Sequence, residues 1–247
     1  NYQAKNVNNY KTEDSVSEFY GALGFKSELG LFKFREDNKL NVFKPKMLLK
    51  ISPNDSRNIS KESKTLNYSD LYKLNKIKSI DKVDTGSSIS LGFDFKINNL
   101  TKNNEIKNEQ FKFSLGQIIN VKENRDMPSK STLNEKMSDI IGETSFSFNE
   151  NAKITNNFLL DQNLREFNKN QIDLDIVYPK TSFNIGFLEE SQHIGSTKYL
   201  QTKAGFNFNN GLISFGAKRN LLSNSAEFYD LSYEYINDCL KAGVAFR

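Results

Sequence analysis

The chain has 247 residues, enough for one large β domain or two ordinary ones, with 37% hydrophobic residues and 20 Phe and 10 Tyr but no Trp. Its net charge of +4 and pI near 8.9 arise from Lys and Asp/Glu that are interspersed rather than gathered on one face, which argues against a nucleic-acid partner. No stretch approaches the ~18 consecutive apolar residues that a spanning helix requires, which excludes an α-helical membrane protein.

The chain opens on Asn1 rather than Met, with neither a basic n-region nor an apolar h-region, and is expected to be processed or a piece of something longer. One or two weak strands are expected within residues 13–36. From residue 44 onward, apolar residues recur at every second position, as a two-faced strand requires. Ile89, Leu91, Phe93, Phe95 and Ile97 alternate with Ser88, Ser90, Gly92, Asp94 and Lys96, and Phe111, Phe113 and Leu115 alternate with Lys112, Ser114 and Gly116. The same spacing follows in Phe146 and Phe148, in Ile154, Phe158 and Leu160, in Ile172, Leu174, Ile176 and Tyr178, in Phe183, Ile185 and Phe187, and in Ala204, Phe206 and Phe208. It closes with Tyr229, Leu231, Tyr233 and Tyr235, then Leu240, Ala242, Val244 and Phe246. About eleven strands of roughly ten residues result, each long enough to cross an outer membrane when tilted. The mean hydropathy of -0.62 does not oppose this, because lipid-facing and lumen-facing residues cancel in the average.

The links between strands alternate in length. Long polar segments lie at about 54–86, 122–140, 162–169, 189–197 and 220–226, and short links at 149–152, 179–181, 209–211 and 237–238. Residues 98–109 break the pattern, being longer than a tight turn. Long loops on one rim and tight turns on the other predict an antiparallel up-and-down transmembrane β-barrel, with 54–86 and 122–140 as long extracellular loops. A diffusion porin or a secretion translocator barrel shares this pattern, and a soluble β-sandwich shares its short alternating strands.

Little in the sequence carries reactive chemistry. His193 and the Glu189-Glu190 pair fall in one polar loop, with no second metal-ligand residue or pocket partner nearby. Asp81, Lys82 and Asp84 end the longest loop and are compatible with salt-bridged contacts that fold it into the lumen or with free solvation. No nucleophile-base motif, phosphate-cradling loop or metal-spaced cluster occurs, so a non-enzyme without cofactor or metal is expected. Cys239, the single cysteine, cannot form an internal disulfide, which leaves a free thiol or a partner elsewhere.

The segment Leu71-Tyr72-Lys73-Leu74-Asn75-Lys76-Ile77-Lys78-Ser79-Ile80-Asp81-Lys82-Val83-Asp84-Thr85-Gly86 is similar, without a gap, to the pattern L-F-x-x-N-R-F-x-G-x-D-R-x-E-x-G. That pattern belongs to the LptD family of lipopolysaccharide-assembly outer-membrane proteins. Leu71, Asn75, Asp81 and Gly86 are identical to it, and Tyr72, Lys76, Ile77, Lys82 and Asp84 are conservative replacements. Ser79 stands where the family usually has Gly, and Ser88 where it usually has Arg. Leu115-Gly116-Gln117, Ser138-Asp139 and the closing Tyr233-Glu234-Tyr235-Ile236-Asn237-Asp238-Cys239-Leu240 resemble further family segments in the same order.

This resemblance implies that residues 1–247 are the C-terminal part of the family's barrel domain, roughly half of a very large barrel. The signal peptide, the periplasmic jellyroll and the first and last strands would lie outside it, and the piece would not be a stable membrane unit alone. The implied function is translocation of lipopolysaccharide and its insertion into the outer leaflet of the outer membrane. The implied partners are lipopolysaccharide, a plug lipoprotein inside the barrel, periplasmic bridge proteins and outer-membrane lipid. In the family, cysteines at the position of Cys239 form disulfides with cysteines near the N-terminus, in an oxidising compartment. Relatives with two adjacent Cys have a second bridge, which Leu240 does not support here.

Overall fold

Side chains on a pleated strand point alternately to its two faces, so a chain with an apolar residue at every second position is driven to form a sheet with one apolar face. The computed structural model describes residues 20–53, 58–61, 65–77, 83–129, 132–191, 196–237 and 239–246. Within them the strands are β1 (Leu23–Glu28), β2 (Leu31–Arg35), β3 (Lys39–Ile51), β4 (Ser88–Leu100), β5 (Ile106–Asn120), β6 (Ile140–Ser147), β7 (Ala152–Leu160), β8 (Phe167–Tyr178), β9 (Thr181–Glu190), β10 (Thr197–Phe208), β11 (Gly211–Asn220), β12 (Ser225–Ile236) and β13 (Lys241–Phe246).

All belong to one antiparallel sheet in which, from β3 onward, each strand pairs with its neighbour in sequence. The sheet is open, with β1 and β2 along one edge and β13 at the other. The eleven strands expected from residue 44 onward correspond to β3 through β13, and β1 and β2 account for the weak strands expected before them. No helix among the described residues is long and apolar enough to cross a membrane.

Pro45 explains why the first edge is divided. β1 pairs with residues 46–51 of β3 and β2 with residues 39–43. Between them, Leu29 N donates to Pro45 O at 3.2 Å. The side of Pro45 that faces this edge therefore lacks its N–H, and the ladder is interrupted where the donor is missing.

Register sorts the faces. Phe43, Phe93 and Phe113 lie on the same face, with ring centroids 5.4 and 5.9 Å apart along the row. Leu174, Ile185, Thr202 and Ala217 continue this face across β8 to β11. The opposite face presents Lys46, Asp94, Ser114, Glu143, Asp173 and Asn184. Cross-strand ion pairs line it, including Lys112 to Glu143 at 2.9 Å and Lys218 to Glu227 at 2.6 Å.

The two rims differ as expected. Residues 52–87, 121–139, 161–166, 191–196 and 221–224 connect strands on one rim, and residues 36–38, 101–105, 148–151, 179–180, 209–210 and 237–240 on the other. The link expected at 98–109 shrinks to 101–105, because two register shifts between Ile97 and Leu100 keep its polar residues within β4 and β5.

Candidate functional site

The two longest loops are read from sequence as polar, yet they contribute most of a hydrophobic core. Ile59, Leu66, Tyr68, Leu71, Ile77, Met127 and Leu133 come from the loops, and Ile118, Ile141 and Leu159 from the polar face of β5, β6 and β7. These loops therefore fold down against the polar face instead of standing free. Their aliphatic residues, spaced without period among Ser, Asn and Lys, were the signal available in the sequence.

Backbone hydrogen bonds tie the loops to each other. Ile59 N donates to Asp126 O at 2.8 Å and Val121 N to Ser87 O at 2.9 Å. Asn124 Nδ2 donates to Thr85 Oγ1 at 3.1 Å. Beneath them, Ser138 links the second loop to β5: Gln117 Nε2 donates to Ser138 O at 2.7 Å, and Ile118 N to Ser138 Oγ at 3.0 Å. Leu115-Gly116-Gln117 and Ser138-Asp139, separate in sequence, thus meet at one point. Asp139 in turn accepts from Asn168 Nδ2 at 2.9 Å.

A 3-10 turn, Tyr68–Asp70, places two tyrosines over the sheet. Asn67 caps it, its N–H donating to Asp70 Oδ2 at 3.3 Å. Tyr68 OH donates to Phe93 O at 3.1 Å, and the Lys46 ammonium lies 5.6 and 5.4 Å from the ring centroids of Tyr68 and Tyr72. Lys46 is also paired to Asp94 at 2.5 Å, and Asp94 accepts from Ser114 Oγ at 2.8 Å. Burial raises the phenol of Tyr68 above the ordinary tyrosine value, reinforced by its hydrogen bond with Tyr72, and burial raises Tyr72 likewise.

Close approach here needs glycine. A Cβ on Gly92 would collide with Leu115 O and Tyr72 OH and stand 2.8 Å from Gly116 Cα. On Gly116 it would lie 2.7 Å from Leu71 Cδ1. The two glycines form the floor on which Leu71 and Tyr72 rest.

The far end of the first loop is held by charge. Lys50 of β3 and Lys76 of the loop both reach Asp84 Oδ2, at 2.8 and 3.3 Å. Both lysine side chains are 1% exposed and Asp84 is 7% exposed, so among the described residues this is a buried cluster with two cations and one carboxylate. Lys50 Nζ also donates to Asp84 O at 2.6 Å, and Lys76 Nζ reaches Ser88 Oγ at 3.5 Å. Free solvation, which the sequence left open for Asp84, does not hold: its carboxylate is buried and ion-paired to both lysines.

The residues singled out in sequence separate into two places. Leu71 is fully buried in the loop core. Asn75 Oδ1 accepts from Ile77 N at 3.1 Å and Asp84 N at 3.3 Å, bridging the two ends of its segment. Gly86, at φ 91°, turns the chain so that its N–H reaches Pro53 O at 3.0 Å. Asp81, Lys82, Ser79 and His193 lie outside the described residues. Glu190 is buried and accepts from Thr65 Oγ1 at 3.4 Å, while Glu189 pairs with Lys198 at 3.0 Å, so neither is a free loop carboxylate. Cys239 sits on the other rim, exposed, in a turn where Asn237 Oδ1 accepts from Cys239 N at 3.0 Å and Leu240 N at 2.7 Å. Lys46, Lys50, Asp94 and Tyr68 were not singled out in sequence, because their partners lie on other strands or loops.

One apolar face, one ion-paired polar face, tight turns along one rim and folded long loops along the other define the wall of an outer-membrane β-barrel. The family model described as LptD, LPS transport system D, matches residues 7–221, and the chain belongs to that family. Its members are non-enzymatic transporters that carry lipopolysaccharide to the outer membrane and insert it there, and this chain is an outer-membrane protein of that function.

No curated protein matches the chain. Among solved structures it is similar to three mutants of the porin of Rh. blastica, two with introduced tryptophans and one with introduced alanines. Each is 6% identical, with 91% of this chain and 84% of the porin chain covered, at TM-scores of 0.37 and 0.34 for the tryptophan mutants and 0.34 for the alanine mutant.

Proposed function

We propose that this sheet is one side of the conduit through which the sugar portion of lipopolysaccharide travels, in the C-terminal part of a larger barrel. An amphiphile of this kind poses two opposed costs, since acyl chains do not pass a polar lumen cheaply and sugars do not pass hydrocarbon cheaply. The ion-paired inward face, with Gln171, Asp173, Asp175 and Asn184 on adjacent strands, offers the sugars hydrogen-bonding groups. The apolar face meets lipid. Packing of the described parts of the two longest loops, from Ile59 to Ile77 and at Met127 and Leu133, against the inward face is the observation that carries this reading, and it makes a cover over the extracellular end. A plug lipoprotein inside the lumen and periplasmic bridge proteins below the short-turn rim complete the assembly. Cys239 lies on that rim and forms a disulfide with a cysteine of the periplasmic domain.

The test places a photo-crosslinking residue at Gln171 or Asn184 of the full-length protein in cells. Both capture lipopolysaccharide, and the same residue at outward-facing Ile172 captures none through its sugars. Absence of capture at both inward positions removes the conduit assignment.

A further inference from the structure

On the apolar face, at the short-turn rim, the surface between β9 to β10 and β11 to β12 is hollowed into a concavity of roughly 710 Å³. Four aromatic side chains, Phe206, Phe208, Tyr233 and Tyr235, line it together with Gly211, Lys180 of the β8 to β9 turn and polar Thr and Asn residues of the adjoining strands and turns. The register puts Phe206, Gly211, Tyr233 and Tyr235 on the same side as Phe215 and Leu231, the side opposite the folded loops. A Cβ at residue 211 would stand 3.2 Å from the Tyr233 ring, so a side chain there would crowd the hollow. Among the described residues no carboxylate lines it, and Lys180 has no ion-pair partner. Along the opposite rim, by contrast, the outward Lys198 is neutralised by Glu189 at 3.0 Å.

We infer that this hollow is a binding site for a single anionic glycerophospholipid of the periplasmic leaflet. Short turns mark the periplasmic side of an outer-membrane barrel, so the hollow lies at the depth of that leaflet's glycerol and phosphate. There an aromatic wall with polar tips is favoured, because ring faces meet acyl chain while hydroxyls reach water. The Lys180 ammonium supplies the charge that a lipid phosphate needs, the rings of Phe206 and Phe208 take the upper acyl chain, and Tyr233 and Tyr235 border the glycerol. The occupant is a phospholipid rather than a free phosphate ester because four aromatic rings stand beside the single ammonium, and an ester without acyl chains would leave those rings uncovered.

The experiment uses the full-length protein, delipidated in detergent, titrated with palmitoyl-oleoyl phosphatidylglycerol and read by native mass spectrometry. One lipid is retained at low excess, and Lys180→Gln, a change in an exposed turn that leaves the sheet intact, weakens its retention by about fivefold. Tyr233→Ser also weakens it, and Lys198→Gln does not. Glycerol 3-phosphate, which has the charge without the chains, neither binds nor competes. Equal retention by wild type and Lys180→Gln, or loss with Lys198→Gln to the same degree, overturns the site. Binding of glycerol 3-phosphate as tight as the lipid overturns the identity of the occupant.

Discussion

Lys50 and Asp84 meet at 2.8 Å, the lysine on a strand and the carboxylate at the far end of a loop, 34 residues apart in the chain and both buried. This pair fastens the longest loop to the inner face of the sheet, and Lys76 on the same oxygen ties two parts of the loop together. Buried charges tolerate such a site only when paired, and here the count is uneven, which makes the consequences of substitution unequal.

Replacing Asp84 by Asn strands two buried ammonium groups, whereas replacing Lys76 by Met leaves one cation on one carboxylate. Asp84→Asn is therefore expected to destabilise the loop by about 3–5 kcal/mol, and Lys76→Met by clearly less. Limited proteolysis of residues 52–87 in the full-length protein, with heat-modifiable gel mobility reporting the barrel itself, checks the order. Equal protease sensitivity of the two variants contradicts it.

Gly92→Ala is expected to lift the tyrosine turn, because the new methyl group meets the Leu115 carbonyl, which is backbone and cannot yield cheaply. Gly216→Ala, whose Cβ has no neighbour nearer than 3.7 Å, is expected to be silent. Sensitivity of cells to large antibiotics normally excluded by the outer membrane separates the two, rising for Gly92→Ala alone.

Leu71→Ala removes a fully buried side chain from the centre of the loop core. The expected cost is about 2–5 kcal/mol to that core, since the surrounding residues collapse only in part. Hydrogen exchange across residues 65–77 and 121–139 together detects it; faster exchange in the first segment alone would show that the loops do not fold as one unit.

Tyr68 and Tyr72 hold their protons more firmly than ordinary tyrosines because burial penalises the phenolate. With the folded value above the unfolded one, this contribution is fully present below about pH 10 and is lost as pH rises beyond it. Ultraviolet difference titration is expected to show two late tyrosines that Tyr68→Phe with Tyr72→Phe removes. Their ionising with the remainder would mean that the turn is not seated.

Cys239 is exposed in its turn, and the disulfide proposed for it predicts a mobility difference between reduced and non-reduced full-length protein from outer membranes. Cys239→Ser should abolish that difference. A difference that persists in the variant places the bridge elsewhere.

Strand identity was written in the sequence, because a pleated strand forces period two on its side chains and a membrane demands one apolar face. The alternation from Ile89 to Ile97 and the unequal links therefore determined the up-and-down sheet and its two rims. The segment from Leu71 to Gly86 pointed to the family, and Cys239 to the short-turn rim. Only the tertiary structure decided where the long loops go. Lys50 and Gly92 look in sequence like any lumen-facing residues; they become an anchor and a floor only when Asp84 and residues 65–77 pack onto them. The same is true of the meeting of Gln117 with Ser138. Such contacts depend on which distant strands stand side by side and in what register, and local alternation fixes neither the path of a loop nor the partner of a buried charge.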